Sequence, residues 1–215
     1  MQKVYFATTN KGRFNQVKRA LSEQGIEVVQ ANFAIAEPAI QDIREIARQK
    51  VVAAYKKLKK PCIAQDSGFF IEALGGYPGS LVHRELKKIG IQGILAKVKG
   101  KSRKCEFRHV LVYYDGSSPK PIFFESRSEG ELATEPRGNI EGLKKRFVTS
   151  ELWLVFKPKG LNKTLAELTL EEYLKWRTTR DRSHSSKFAK FFLRRQTAQK
   201  APPARKRPPF KARRK

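Results

Sequence analysis

A short apolar run that ends at an acid constrains this chain more than any other stretch. Cys62–Ala64 leads to Asp66, and glycines follow at Gly68 and within Gly75–Gly79. Glycines placed in this way let the backbone approach a ligand or a neighbouring strand closely. An acid on a loop at the end of a strand is where α/β enzymes commonly keep a reactive group. An aspartate that only caps a turn or a helix is the alternative for this stretch taken alone.

The spacing of apolar residues predicts an α/β fold. The first third of the chain reads as a strand at 4–7, a helix at 13–24, a strand at 26–29, a helix at 42–58 and a strand at 62–64. Two runs rich in aromatic and β-branched residues, 104–114 and 120–127, flank Asp115–Ser118 and predict a β-hairpin. Beyond the hairpin, the pattern predicts a strand within 147–156, a helix capped by Thr164 and a last helix capped by Ser183.

Positive charge is in large excess and is concentrated at the C-terminus. The 215 residues carry a net charge of +26, and the stretch Arg194–Lys215 holds ten Lys or Arg and no acid. Prolines and like charges preclude a packed core there, so we expect an α/β domain over 1–196 and a disordered basic tail over 197–215. Such an excess predicts attraction to nucleic acid, ribosomes, anionic membranes or nucleotide phosphates.

Cysteine usage and hydropathy indicate a cytoplasmic protein. Cys62 and Cys105 both lie in apolar, strand-like runs, as is typical of buried free thiols in a reducing compartment. The N-terminus lacks the apolar region of a signal peptide, and no apolar run approaches the roughly 20 residues that a membrane span needs.

Two further groups of residues are candidates for chemistry. Thr8, Asn10 and Arg13 lie where a predicted strand passes into a helix, and backbone N–H groups with a cation there can bind phosphate. Asn and Thr also serve simply as helix caps, which is the alternative. Ser183 and His184 stand at the start of the last helix, where the histidine contacts a base or phosphate, or is an ordinary surface or packed residue.

Three segments in this order resemble the inosine triphosphate pyrophosphatases, also called non-canonical purine NTP pyrophosphatases or XTP/dITP diphosphatases. They are Phe6–Gly12, Asp66–Gly68 continuing through Ala73–Gly79, and Phe156–Leu168. The similarity runs from Val4 to about Leu193, and the second segment is highly specific.

The resemblance implies a two-lobed α/β fold on a long mixed sheet, with the nucleotide between the lobes, and a homodimer. It also implies hydrolysis of ITP, dITP or XTP to the monophosphate and pyrophosphate, which cleanses the nucleotide pool, with Mg²⁺ or alternatively Mn²⁺. Asp66 is then the general base or a metal ligand, and Glu37 a second metal ligand. The substrate-binding residues carried over are Thr8, Asn10, Arg13, Ser67, Gly68, Phe147, Lys157, Arg180, Ser183 and His184.

Several positions depart from the family pattern. Gln16 and Gln65 stand where the family has acids, Ser185 replaces an arginine, and the segment 139–155 is rewritten. Mg²⁺ prefers carboxylates and water, so the two amides weaken the expected metal site. One interpretation is an enzyme with altered metal dependence or substrate range. The other is a scaffold without hydrolysis that binds nucleic acid or a ribonucleoprotein through its basic surface and tail.

Overall fold

A computed structural model describes residues 2–33, 40–141, 148, 150–178 and 183–200. The strands are β1 (Gln2–Ala7), β2 (Ile26–Ala31), β3 (Cys62–Ile71), β4 (Pro78–Gly79), β5 (Lys104–Tyr114), β6 (Ile122–Leu132) and β7 (Phe156–Pro158). The helices are α1 (Lys11–Ser22), α2 (Ile43–Leu58), α3 (Val82–Lys97), α4 (Leu170–Thr178) and α5 (His184–Lys200). No helix in these ranges is long and apolar enough to cross a membrane.

All seven strands belong to one mixed sheet, which confirms the predicted α/β fold. The order is β2-β1-β3-β5-β6-β7, and β4 pairs with β3 outside this path. β1 runs parallel to β2 and β3, whereas β3–β5, β5–β6 and β6–β7 are antiparallel. Because Phe6 is level with Ile63, the loop that leaves β1 passes beside Asp66.

Helices cover both faces of the sheet. On one face, α1 and α5 pack over β1, β3 and β5 through Val17, Leu21, Phe188 and Phe192. On the other face, α2 packs over the same strands through its apolar stripe. A separate cluster joins α3 and the segment around Trp153 to the distal ends of β3, β5 and β6. The sheet therefore links distinct core regions, as the two-lobed expectation requires.

The prediction that Asp66 lies on a loop was wrong. β3 continues through Asp66 to Ile71, and every residue from Cys62 to Ile71 is paired with β5. Gly68 makes no turn; a Cβ there would lie 2.8 Å from the backbone of Gly79, so the glycine allows β4 to approach. The partner strand, β5, lies about forty residues further along the chain, so the spacing of residues around Asp66 does not predict the pairing.

Three other boundaries differ from the sequence interpretation. Residues Glu151–Leu154 form a short 3₁₀ helix, so the strand predicted within 147–156 is wrong apart from the start of β7. Thr164 caps a turn, and α4 begins only at Leu170, after Thr169. Helix α5 runs to Lys200, four residues past the boundary predicted at 196.

Candidate active site

Asp66 lies in the middle of the sheet, between β1 and β5, and is only 8% exposed. Its Oδ1 is 3.8 Å from Arg13 Nη1 and 3.6 Å from Lys50 Nζ. Burying a carboxylate is costly unless cations compensate it, and α1 and α2 each supply one here. We call Asp66, Arg13 and Lys50 the Asp66 cluster. It holds one more positive than negative charge, which favours an anionic ligand.

The β1–α1 junction orders one side of this cluster. Asn10 is the N-cap of α1, and its Oδ1 accepts a hydrogen bond of 2.8 Å from the Arg13 backbone N–H. Thr8 Oγ1 in turn accepts from the Asn10 N–H at 3.1 Å. The Arg13 side chain crosses to β3 and donates to the Gln65 carbonyl at 3.3 Å. The capping role is thus present, and it sets the positive end of a helix beside Asp66.

Lys50 was missed by the sequence interpretation. Lys50 lies on the same side of α2 as Ile43, Ile46 and Ala47, and this side of the helix packs against the sheet. Only 12% of its side chain is exposed. A lysine inside an otherwise apolar helical stripe was the signal that could have found it, because lysine is almost never buried without a partner.

A second polar group crosses β3, β5 and β6. Ser67 is paired with His109, and His109 with Ser126. His184, at the start of α5, places its Nδ1 2.8 Å from Ser126 Oγ and stacks its ring on that of His109, with centroids 5.2 Å apart. We call Ser67, His109, Ser126 and His184 the polar row. His109 and Ser126 were not predicted, because neither carries a motif of its own.

The predicted site residues therefore fall into separate groups. Thr8, Asn10, Arg13 and Asp66 come together. Successive side chains of a strand point to opposite faces, so Ser67 lies on the other face of β3 from Asp66. Ser67 and His184 form the polar row, and Ser183 caps α5 by accepting from the Ser186 N–H at 3.1 Å.

Gly68 and Lys157 belong to neither group. Gly68 packs against β4, as described above. Lys157 lies 3.8 Å from Glu131 and lines a groove of about 1350 Å³ together with Phe70 and Arg108. That groove does not reach Asp66, so its size alone does not mark it as the reaction site. Glu37, Phe147 and Arg180 lie outside the described residues.

Comparison with known proteins fixes the family. Residues 4–183 match the Ham1 family, which is most of the chain. The chain belongs to the Ham1 family. A dITP/XTP pyrophosphatase of Thermococcus kodakarensis is 34% identical over 169 residues, covering 78% of this chain and 85% of that protein. A dITP/XTP pyrophosphatase of Methanopyrus kandleri is 36% identical over 174 residues, covering 80% of this chain and 88% of that protein. These relatives confirm the resemblance drawn from the motifs.

Solved structures of the family share the fold of this Ham1 chain. A HAM1 protein from Coxiella burnetii superposes with a TM-score of 0.71 at 23% identity, covering 92% of this chain and all of the other. The Staphylococcus aureus Ham1 protein gives a TM-score of 0.68 at 22% identity. At this level of identity the likeness concerns the fold alone.

The described residues of this Ham1 chain suit a shared metal site better than a complete cage. Within them, no group of three His, Cys, Asp or Glu side chains is placed to hold a metal. The Oε1 of Gln65 is buried without a hydrogen-bond partner in the described part of the chain, but strand alternation places it on the face of β3 opposite Asp66, so it adds no ligand there. Mg²⁺ commonly binds one or two carboxylates together with substrate phosphates and water. Asp66 fits that arrangement as one oxygen ligand.

Proposed function

We propose that this chain hydrolyses non-canonical purine nucleoside triphosphates, dITP, XTP and ITP, to the monophosphate and pyrophosphate, and so cleanses the nucleotide pool. The observation that carries the proposal is the Asp66 cluster: a buried carboxylate held between Arg13 and Lys50 beside the start of α1. Proteins named dITP/XTP pyrophosphatase and similar over most of the chain support the substrate class. Because this cluster combines a buried carboxylate with two cations, we prefer hydrolysis over a scaffold that has lost it.

Binding of the triphosphate is the first task of the site. The N-terminus of α1 presents backbone N–H groups to an anion, and the Thr8–Asn10 loop leads into it. Arg13 and Lys50 add two cations that neutralise phosphate charge. Phosphoryl chemistry depends mainly on positioning and charge neutralisation, so these groups account for much of what the reaction needs.

Asp66 acts as the general base in this proposal. Its carboxylate accepts a proton from a water molecule as the water oxygen forms a bond to the α-phosphorus. The bond between the α-phosphorus and the bridging oxygen breaks, and pyrophosphate leaves with that electron pair. Mg²⁺, or Mn²⁺ in its place, would be held by Asp66 and Glu37 and would supply further charge neutralisation.

Recognition of the base is assigned to His184. Hypoxanthine and xanthine present a carbonyl oxygen where adenine carries an amino group. A hydrogen-bonding side chain can therefore distinguish these two bases from adenine. The Ser126 hydroxyl at Nδ1 and the stacked ring of His109 hold the imidazole in one orientation. An oriented donor discriminates better than a mobile one because its geometry is fixed before binding.

We further propose a cytoplasmic homodimer. Cys62 and Cys105 are free and buried, which suits a reducing compartment. The dimer follows from the family resemblance, and light scattering coupled to size exclusion tests it. The expected mass is twice the 24.6 kDa of one chain. Elution at the mass of one chain at micromolar concentration argues against the dimer.

The test of function measures pyrophosphate release from dITP, XTP and ITP, with dATP and dGTP for comparison, in Mg²⁺ or Mn²⁺. We expect turnover of the first three and a loss of about 10²- to 10⁴-fold in Asp66→Asn, the typical range for general-base catalysis. Glu72→Gln, which neutralises an exposed acid just after β3, is the matched control. No turnover of any substrate, or an unchanged rate in Asp66→Asn, rejects the proposal.

A further inference from the structure

A cluster of lysines lies at the end of the sheet opposite the proposed site. Lys56, Lys57, Lys59 and Lys60 are all exposed, around the point where α2 ends and the chain enters β3. Asp66 lies four residues beyond Cys62, the first residue of β3, which corresponds to about 13 Å at the rise of a strand. These four lysines, which we call the lysine patch, therefore take no part in the Asp66 cluster.

No acid in the described part of the chain neutralises the lysine patch. Among the described residues, none of the four lysines makes an ion pair. Four like charges within five residues repel each other, so the arrangement costs stability by itself.

Helix capping explains only part of the patch. Cations in the last turn interact favourably with the helix dipole, which accounts for Lys56 and Lys57. Lys59 lies beyond the last helical residue in the left-handed conformation, with φ of 51°, and Lys60 follows it. Neither contributes to the helix in this way.

Three lysines of the patch each lie over an aromatic ring. Lys57 Nζ is 4.6 Å from the ring centroid of Phe33, and Lys60 Nζ is 5.2 Å from that of Tyr5. Lys59 Nζ is 5.7 Å from the ring of Tyr55. All three rings are partly exposed. Proteins bind single-stranded nucleic acid with surfaces that combine cations, which contact phosphates, and aromatic rings, which contact bases.

The C-terminal helix α5 contacts the same end of the molecule. Tyr55 packs on Tyr114, with ring centroids 4.9 Å apart, at the end of β5. Asp115 follows and accepts a hydrogen bond of 2.9 Å from Arg195 of α5. Past Lys200, the sequence 201–215 carries seven Lys or Arg and no acid. Contacts through Tyr55, Tyr114 and Asp115 thus connect the lysine patch to Arg195 of α5.

We propose that the lysine patch, with Tyr5, Phe33 and Tyr55, is a binding surface for the backbone of single-stranded nucleic acid. An anionic membrane is the less favoured partner, because stable membrane binding takes inserted apolar groups in addition to a basic patch. The large hydrophobic side chains that are exposed in the described ranges are Ile40 and Leu174, and neither is in the patch. The inference does not depend on the proposed hydrolysis.

The experiment uses the full chain and a fluorescein-labelled oligouridine of about 20 nucleotides, longer than the roughly 4–16 nucleotides that a single-strand binding domain covers. Fluorescence anisotropy gives the affinity at several salt concentrations. The test variant replaces Lys56, Lys57, Lys59 and Lys60 with Gln. Loss of four phosphate contacts should lower the slope of log K against log salt by about 3, since each contributes roughly 0.7 for a single strand. We expect binding at least about tenfold weaker near 50 mM salt.

A charge-matched control replaces Lys87, Lys88, Lys99 and Lys101, four exposed lysines in and after α3, with Gln. We expect its affinity to stay within about threefold of the parent, because only the bulk charge changes. Circular dichroism confirms that both variants are folded. Equal losses in the two variants overturn the proposal, since net charge then explains binding.

Two further measurements separate the patch from other sources of binding. Removal of residues 201–215 tests the tail: if truncation abolishes binding and the patch variant binds normally, the tail alone is the binding element and the proposal fails. Vesicles of phosphatidylserine test the membrane: if the patch lysines govern vesicle binding and not oligouridine binding, the partner is lipid and the proposal is again wrong.

Discussion

The ring of His109 stacks on the ring of His184, with centroids 5.2 Å apart and 24° between the ring planes. His109 lies on β5 and His184 begins α5, so the pair joins the sheet to the C-terminal helix. Ser126 completes the contact through the Nδ1 of His184 at 2.8 Å. The imidazole assigned to base recognition is therefore held from two sides by side chains of neighbouring strands.

Substituting His109 should change substrate affinity more than turnover. In His109→Ala the stacked ring is lost, and an aromatic pair is worth about 0.5–1.5 kcal/mol. We expect KM for dITP to rise about two- to tenfold, while kcat stays within about twofold, because Asp66 is untouched. Steady-state pyrophosphate release measures both constants.

His109→Phe is the matched variant for this prediction. Phenylalanine retains a stacking ring, so KM should return close to the parental value. A purely structural role of His109 would instead lower kcat and the unfolding midpoint together. If Phe is as poor as Ala, stacking on His184 is not what matters at this position.

Lys50→Met should reduce hydrolysis without unfolding the chain. The Nζ of Lys50 is 3.6 Å from Asp66, and its loss leaves Arg13 as the remaining cation of the cluster. Removing one positioned group that stabilises transition-state charge costs about 100-fold or more, so kcat/KM should fall about 100-fold. Lys56→Met, on the exposed part of the same helix, should leave kcat/KM unchanged. Equal effects of the two changes would contradict the position assigned to Lys50.

Gly68→Ala should destabilise the fold. A Cβ at this position would lie 2.8 Å from the carbonyl carbon and oxygen of Gly79, and backbone atoms cannot move aside as a flexible side chain can. Overpacking of this kind costs about 1–3 kcal/mol, measured as a lower urea midpoint at constant slope. Gly12→Ala, whose Cβ would meet only Asn10 Oδ1 at 3.4 Å, should match the parent or exceed it slightly. If both variants unfold at the parental midpoint, β4 does not pack on β3 as described.

Local sequence signals were sufficient for the elements that depend on local contacts. The apolar stripe of α2, the β5–β6 hairpin and the cap of α5 at Ser183 all appear close to where spacing and turn residues predict them. The motif Thr-x-x-Glu shows the limit of such signals. Thr164 and Glu167 bond reciprocally, and so do Thr169 and Glu172. Only the second pair opens a helix.

The candidate site was predictable only in part because half of it is made by pairing between distant strands. Thr8, Asn10, Arg13 and Asp66 carry recognisable motifs, and the structure brings them together. His109 has no motif, since it is one residue in a long strand, and it meets His184 only after β5 has paired with β3 and β6. Such contacts depend on register, which spacing along a single strand does not specify.

The two thiols should be unreactive in the folded chain. Burial raises the pKa of Cys62 to about 12, and burial together with the Glu131 charge raises the pKa of Cys105. The thiolate is the reactive form, so at pH 8 both groups should resist N-ethylmaleimide until urea unfolds the protein. Mass spectrometry counts the adducts.

The same pKa shifts predict how stability depends on pH. Above about pH 9 the unfolded thiols lose protons that the folded ones retain, so the free energy of unfolding should fall as pH rises toward 12.

A Cys62→Ala and Cys105→Ala double variant separates this effect from the titration of other groups. If the thiols contribute to the alkaline loss of stability, the double variant should lose less free energy of unfolding between pH 9 and 11 than the parent. Because the comparison uses the change in the free energy of unfolding between the two pH values, any pH-independent cost of the substitutions cancels. Rapid labelling of either cysteine in the native protein, at the rate seen in urea, would show that the interior around β3 and β5 opens readily. That result would contradict a β3–β5 ladder that stays closed around Asp66.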